Sequence, residues 1–276
     1  MNCRTLSDDD FRSLFLTFNA AFSKNFVKLQ PTEEEFLYRI NKKVRVENDI
    51  SAGSFDGAEM LGFIIHSSNT YQGIPTAYNG GTGVLPGFRN QKIAEELYEF
   101  LVPRIQSRFL ARILLEVVEV NEFAIKLYEK IGFHFKRRML CFKQNKQILN
   151  LDDLRPVEPA SITEVDFAFN DFEPSFIDSE AHLRAGDERV IACRIEGNLA
   201  GFAILQPHLG RISQLAVDRK FRGLNVGKSL LHYAQEESSK KLTIMNIPED
   251  QDNFHAFLKR CGFSNEVNQF EMELII

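Results

Sequence analysis

Three short stretches of this chain return, in the same order, about 130 residues further along. Gly62-Phe63 comes back as Gly201-Phe202 after 139 positions, Arg89 as Arg222 after 133, and Gly132-Phe133 as Gly262-Phe263 after 130. Solenoid repeats span roughly 20–50 residues. A period this long instead gives each copy the length of a domain. The expectation is two tandem domains, residues 1–145 and 146–276, with the polar, unpatterned stretch Gln144–Asp153 as linker or hairpin crossing.

Each copy alternates between the two secondary-structure periods. "EMLGFIIH", Glu59 to His66, predicts a buried strand, and Thr76 to Val84 predicts the next. Gly80-Gly81 in the second marks a bulge or a close backbone approach. Ile93, Ala94, Leu97, Tyr98, Leu101, Val102 and Ile105 form one helical stripe, in which Pro103 is expected to cause a kink. Arg112 to Val118 is a strand, Asn121 to Phe133 a helix stopped at Gly132, and His134 to Lys143 a strand. Ahead of these, Ser7-Asp8-Asp9-Asp10 starts a helix carrying Phe11, Leu14, Phe15, Phe18 and Phe22, and Pro31 to Glu35 starts another through about Lys42. The second copy repeats the later part: strand Leu199–Gln206, strand–turn–helix Ser213–Leu231, strand Lys241–Met245, helix Glu249–Phe263 and a closing strand, "QFEMELII".

Composition narrows the function. A formal net charge of −5 disfavours general binding to nucleic acid or anionic membranes, so neither is an expected partner. Any anionic ligand must be held by local design. The 25 Phe, with no Trp, are read as core filling. Cys3, Cys141, Cys193 and Cys261 are scattered, which argues against a metal cluster or a disulfide framework and fits a reducing cytoplasm. The acidic start lacks a signal peptide's apolar segment, and no apolar run reaches the ~20 residues that span a bilayer.

The stretch "GVLPGFRNQKIAEELY", Gly83 to Tyr98, carries the chemistry. It runs from a strand through a sharp turn and an arginine into a helix. A helix begins with unpaired N–H groups and a partial positive charge, so such a unit cradles anions. Arg89 can add a forked, charge-assisted contact that suits a pyrophosphate, or it can be a solvated loop residue.

Val84, Pro86, Arg89 and Ala94 in this loop, followed by Asn121, Ala124, Leu127, Tyr128, Gly132 and Phe133, resemble the GNAT family of N-acetyltransferases. The likeness covers residues 55–143 well and 195–276 more loosely. It implies an α/β (α+β) fold of two tandem GNAT-like domains, each a mixed, mostly antiparallel sheet flanked by helices. In such a sheet the fourth and fifth strands splay around the pantetheine arm of acetyl-CoA. By the same resemblance Thr82, Gly83 and Val84 offer backbone groups to the arm. Arg89, Asn90, Gln91, Lys92, Ile93 and Ala94 surround the pyrophosphate, Asn121 lies near the arm, and Tyr128 lies near the sulfur. Lys92 departs from the family's glycine, at a cost in close approach or with a point charge in its place. In the second copy Arg222, Gly223, Asn225 and Gly227 occupy the loop, and Leu258 stands where the first has Tyr128.

The expected function is an acetyl-CoA-dependent N-acetyltransferase, without a metal, acting on a small-molecule or peptide amine by direct attack on the thioester. Tyr128 is the proton donor to the leaving thiolate, the first domain does the chemistry, and the second is degenerate or supporting. Two alternatives stay open: a CoA-binding sensor or interaction module without turnover, and an aminoacyl or peptidyl transferase. Glu116 and Glu119 flank the splay but stay outside the catalytic set, as do His66, His134 and the cluster Lys136-Arg137-Arg138.

Overall fold

The structure is a computed structural model describing residues 2–23, 30–148 and 153–276; residues 149–152 of the expected linker lie outside the described residues. The strands are β1 (Asn2–Thr5), β2 (Ala52–Asp56), β3 (Glu59–Tyr71), β4 (Ile74–Val84), β5 (Arg112–Val118), β6 (His134–Gln144), β7 (Val157–Ala160), β8 (Arg189–Ile195), β9 (Asn198–Gln206), β10 (Arg211–Val217), β11 (Thr243–Pro248) and β12 (Phe263–Ile275). The α-helices are α1 (Phe11–Phe22), α2 (Glu33–Tyr38), α3 (Ile93–Ser107), α4 (Glu122–Ile131), α5 (Glu180–Arg184), α6 (Val226–Glu237) and α7 (Asp252–Arg260).

Two compact units result: Met1–Lys136 together with Phe270–Ile276, and Arg137–Gln269. The first has sheet order β1-β2-β3-β4-β5 followed by the C-terminal end of β12; the second has β6-β11-β10-β9-β8-β7. In each unit the hairpin neighbours are antiparallel, while β4 with β5 and β10 with β11 are parallel. The division therefore differs from a cut at 145/146. Residues 137–144 of β6 belong to the second unit, and the last residues of the chain belong to the first.

Arg112 explains why the last strand lies where it does. Its side chain is 2% exposed, and it donates from Nε to Thr76 Oγ1 at 2.8 Å and from Nη2 to Tyr71 O at 2.7 Å. The charge is met by Glu273 of β12 at 2.6 Å from Nη1. Met272 packs in the core with Ile113, Leu115 and Val117, and the Ile276 N–H donates to Ala111 O at 3.1 Å. Burial opposes ionisation of Glu273, but the bonds from Arg112 and Lys136 prevail and hold its carboxyl below the usual value.

Phenylalanine fills the interior of the first unit. α1 lays Leu14 and Phe18 against Phe36 and Phe63, with ring centroids 4.9 Å (Phe18–Phe36) and 5.9 Å (Phe18–Phe63) apart. α2 starts on a capping box, with the Glu35 N–H bonded to Thr32 Oγ1 at 3.2 Å and the Thr32 N–H to Glu35 Oε2 at 3.0 Å. It gives way to a wider π turn, Arg39–Val44, closed by left-handed Arg45. α3 stays helical through Pro103 to Ser107.

Two expected outcomes concern stability. Glu273→Ala leaves the Arg112 guanidinium buried without its counter-charge. About 2–3 kcal/mol of unfolding free energy is expected to be lost, below the fully buried limit because Glu273 is 24% exposed, and urea denaturation measures it. His66 is fully buried, with Nδ1 bonded to Ile50 O at 2.8 Å, and burial pulls its pKa down to about 4 from an ordinary 6.5. Between those values the unfolded chain binds the extra proton. His66 therefore costs nothing above pH ~6.5, and stability falls by up to about 3 kcal/mol as the pH drops towards ~4. Denaturation midpoints of His66→Gln across that window are expected to show a flatter acid limb.

Candidate active site

The site begins with a defect in pairing. β4 runs beside β5 only through Thr76–Arg112, Ala77–Ile113 and Tyr78–Leu114. On its other edge, Ile65 pairs with Gly81 and His66 with Asn79, so Gly80 is a bulge residue with no partner of its own. A bulge bends its strand and raises the local twist. Beyond it Thr82, Gly83 and Val84 stay on β3, opposite Ile64, Phe63 and Gly62, and no longer pair with β5. The expected splay is in place. Gly80 suits this position because a Cβ there would lie 2.4 Å from Val44 Cγ1.

The second unit repeats the device. β10 pairs with β11 only at Arg211–Thr243 and Ile212–Ile244, and Ser213 is the bulge residue against β9. The same 133-residue step that separates Arg89 from Arg222 separates Gly80 from Ser213.

After β4 the chain makes a 3-10 turn, Pro86–Phe88, and enters α3 through Lys92. Lys92 has φ 63° and ψ 10°; Asn225, at the head of α6, has φ 63° and ψ 11°. Both occupy the left-handed region that glycine enters freely. The departure at Lys92 thus leaves the loop's backbone path intact, at a local cost of about 1 kcal/mol. The first intrahelical bond of α3 is Glu96 N–H to Lys92 O at 2.9 Å. The amides of Ile93, Ala94 and Glu95 lie ahead of it, at the positive end of the helix.

Arg89 has a role that the sequence did not suggest. Its guanidinium donates to Ala21 O at 2.8 Å and to Val84 O at 3.4 Å, tying the loop to the end of β4 and to α1. Arg222 does the same five residues back, to Val217 O at 3.2 and 3.1 Å, and pairs with Asp171. Asn90, Gln91 and Lys92 are exposed beside Arg89, and Ile93 and Ala94 are buried at the helix head. Asn121 caps α4, accepting the Ala124 N–H at 3.3 Å.

Tyr128 projects from α4 into the core and is 8% exposed. Burial raises its phenol pKa, and a hydrogen bond with the Thr82 side chain offsets part of that rise. Its ring lies edge-on to Tyr98 at 6.4 Å and to Phe133 at 5.5 Å. Asn79 and Tyr98 were not singled out by sequence, yet both belong to this cluster. Asn79 Nδ2 donates to Thr82 Oγ1 at 2.8 Å and to Tyr98 Oη at 2.5 Å.

The remaining candidates are engaged elsewhere. Glu116 accepts the hydroxyl of Tyr78, the last β4 residue paired with β5. Lys136 meets Glu273, Arg137 meets the carbonyls of Glu173 and Pro174, and Arg138 meets Glu249. His134 is exposed on β6. Among the described residues no three His, Cys, Asp or Glu side chains are grouped to hold a metal, and no helix is long and apolar enough to cross a membrane.

In the second unit a cavity of about 530 Å³ opens at the same place. Val217, Arg222, Gly227, Lys228, Phe172 and Phe254 are among its walls. Leu258, in the position of Tyr128, is fully buried and offers no hydroxyl.

The profile of the acetyltransferase (GNAT) family matches residues 15–133 and again 152–263. The chain belongs to the GNAT family. Its GNAT fold resembles a tandem GNAT protein of the clavulanic acid biosynthesis pathway, with TM-score 0.72 and 15% identity over 99% of this chain and 98% of that one. A GCN5-related N-acetyltransferase from Sphaerobacter thermophilus gives TM-score 0.71 and 13% identity, with 99% and 95% covered. At such identities the likeness speaks for the fold alone. N-alpha-acetyltransferase 30 of Dictyostelium discoideum is 27% identical over 89 residues, 32% of this chain. The chain spans about half the length of that curated relative, 48%.

Both GNAT copies rely on a glycine that lets the helix head approach the sheet. A Cβ on Gly62 would lie 2.9 Å from Ile93 Cγ2 and 3.0 Å from Gly83 O; one on Gly201 would lie 2.8 Å from both Val226 Cγ1 and Ala216 O. Gly62→Ala and Gly201→Ala are each expected to destabilise the protein by about 1–3 kcal/mol, read as a lower denaturation midpoint.

Proposed function

We propose that the protein is an acetyl-CoA-dependent N-acetyltransferase that acetylates a primary amine of a small molecule or peptide, with the chemistry in the first unit. Acetyl-CoA supplies an activated acetyl group on a thiol leaving group. The chain fits this cosubstrate in two respects. Left-handed Lys92 turns the loop so that the amides ahead of the first α3 bond stand at the mouth of the splay, and β4 beyond Tyr78 has an edge unpaired with β5. Arg89 keeps guanidinium N–H groups beyond the two that fasten the loop, and these serve the diphosphate. Asn121 steadies the head of α4, which carries Tyr128.

The observation that carries the reading is Tyr128. Its phenol is nearly buried on α4, with its ring edge-on to Tyr98 and Phe133. A phenol, ordinarily ionising near pH ~10, holds its proton at neutral pH, as a donor to a thiolate requires. The cytoplasm suits a chain whose four cysteines are free, and a net charge of −5 favours an amine over a polyanion as partner.

A second reading rests on the second unit. Its cleft keeps the left-handed loop residue, the cationic rim of Arg222 and Lys228, and a large opening, but has lost the phenol. That combination suits a CoA-binding module without turnover.

Tyr128→Phe decides between the two. For the enzyme, kcat for thiol release with an amine panel is expected to fall about 100-fold while acetyl-CoA still raises the melting temperature. Thiol release that is undetectable in the parent chain, with CoA stabilisation retained, leaves the binding module. Loss of neither activity nor stabilisation on Tyr128→Phe refutes the assignment of Tyr128.

A further inference from the structure

The cavity of the second unit is walled by rings. Phe169, Phe172, Phe221, Phe254 and Phe257 line it, and all five are half-buried. Phe172 and Phe254 meet edge-on with centroids 5.6 Å apart, and Phe254 lies 6.2 Å from Phe257. Phe257 packs against the first turn of α6. A Cβ on Gly227 would lie 2.9 Å from Phe257 Cζ, so the glycine makes room for the ring. In the first unit the steps of 133 and 130 residues put Ala94, Ala124 and Leu127 at the positions of Gly227, Phe254 and Phe257. The second cleft has aromatic side chains where the first has small and aliphatic ones, and its helix gives up a methyl group to fit one of them.

Charge changes in the same place. In the first unit Glu95 of α3 and Lys130 of α4 form an ion pair at 2.8 Å. The same two steps turn them into Lys228 and Arg260, both in the wall of the cavity. A neutral pair is replaced by two cations, and like charges without an anion between them repel. Arg222 is a third cation of the wall. Among the described residues the wall's one carboxylate is Asp171, bonded to Arg222 at 2.9 Å. Three cations against one carboxylate leave the wall a net two positive charges. A phosphate monoester carries about −1.5 to −2 at neutral pH and offers three oxygens to charge-assisted bonds.

We propose that the cavity of the second unit is a binding site for a phosphate monoester with an apolar body, aliphatic or aromatic. Lys228, Arg260 and the outer N–H groups of Arg222 hold the phosphate, and Phe172, Phe254 and Phe257 cover the body. The volume of about 530 Å³ is that of a small-molecule pocket, which spans roughly 300–1,000 Å³. A pantetheine arm fits this wall poorly, because its amides would lie against rings that return no strong hydrogen bond. The inference rests on the second reading given above for an anion-binding cleft without turnover, and departs from it on the body of the ligand.

Isothermal titration of the full chain with octyl phosphate and with 1-naphthyl phosphate tests it, the first standing for an aliphatic body and the second for an aromatic one. At least one is expected to bind about 100-fold more tightly than inorganic phosphate. Lys228→Glu installs the first unit's residue and is expected to weaken that binding about 10- to 100-fold. Phe254→Ala, again the first unit's residue, is expected to weaken it about 10-fold and to leave inorganic phosphate within about twofold of the parent. Phe254 packs partly in the core, so Lys228→Glu keeps the test decisive if Phe254→Ala does not fold. Saturating CoA is expected to leave the affinity unchanged, which removes CoA as the ligand of this cleft. Binding of both compounds no tighter than inorganic phosphate overturns the inference, and so does an affinity indifferent to the substitutions that fold. Displacement by CoA also overturns it, and leaves the CoA-binding module of the second reading standing.

Discussion

An unpaired residue in the middle of β4 sets the geometry on which the first unit depends. Gly80 is a bulge, and from that point the strand keeps its bonds to β3 and gives up those to β5. An unsatisfied strand edge is ordinarily a liability, open to pairing with any extended chain. Here it is short, and it lies beside the head of α3. The helix head comes that close because Gly62 has no Cβ to hold Ile93 away. A bulge and a glycine on neighbouring strands thus bring two sets of main-chain donors together, one from the strand and one from the helix. Neither set depends on which side chains surround it.

That independence explains how the loop tolerates Lys92. The requirement at this position is a positive φ, which glycine meets most cheaply. Lys92 and Asn225 meet it within a degree of each other, so the cradle has one shape in both copies. Arg89 and Arg222 fasten that shape by bonding back to the carbonyl five residues earlier. An arginine serves there because its planar fork can hold a carbonyl and still present further N–H groups outward.

Local pattern made most of this legible in advance. The period of 3.6 in Ile93–Ile105, the Asn121 cap and Gly132 stop, and the Gly80-Gly81 pair each correspond to a single element. The exchange of terminal strands was not legible. β6 and β12 have the same alternation wherever they pair, and their destination depends on groups far off in sequence, such as Arg112 waiting for Glu273. Asn79 and Tyr98 were hidden for another reason. A polar residue in a strand and a tyrosine on an apolar helical stripe are both ordinary, and only the bonds from Asn79 to Thr82 and to Tyr98 set them apart. One trace was available in the sequence: laying the copies over each other turns all four cluster residues into Ile or Leu at once.

The two copies also separate what a fold retains easily from what it loses easily. The loop is made of backbone conformation, so it survives nearly complete replacement of its side chains; Ile93, Ala94 and Glu95 become Val226, Gly227 and Lys228, and the residue ahead of the helix keeps the same φ and ψ. The group around Asn79 is made of side chains that satisfy one another. Such a network, partly dismantled, leaves buried donors without acceptors and is worse than none. Loss of one member therefore favours loss of the rest, and aliphatic packing is the stable end point, as the buried Ile212, Leu215, Leu231 and Leu258 illustrate at the positions equivalent to Asn79, Thr82, Tyr98 and Tyr128. The second unit accordingly keeps the left-handed residue at the head of its helix while hydrocarbon fills the place of the hydroxyls.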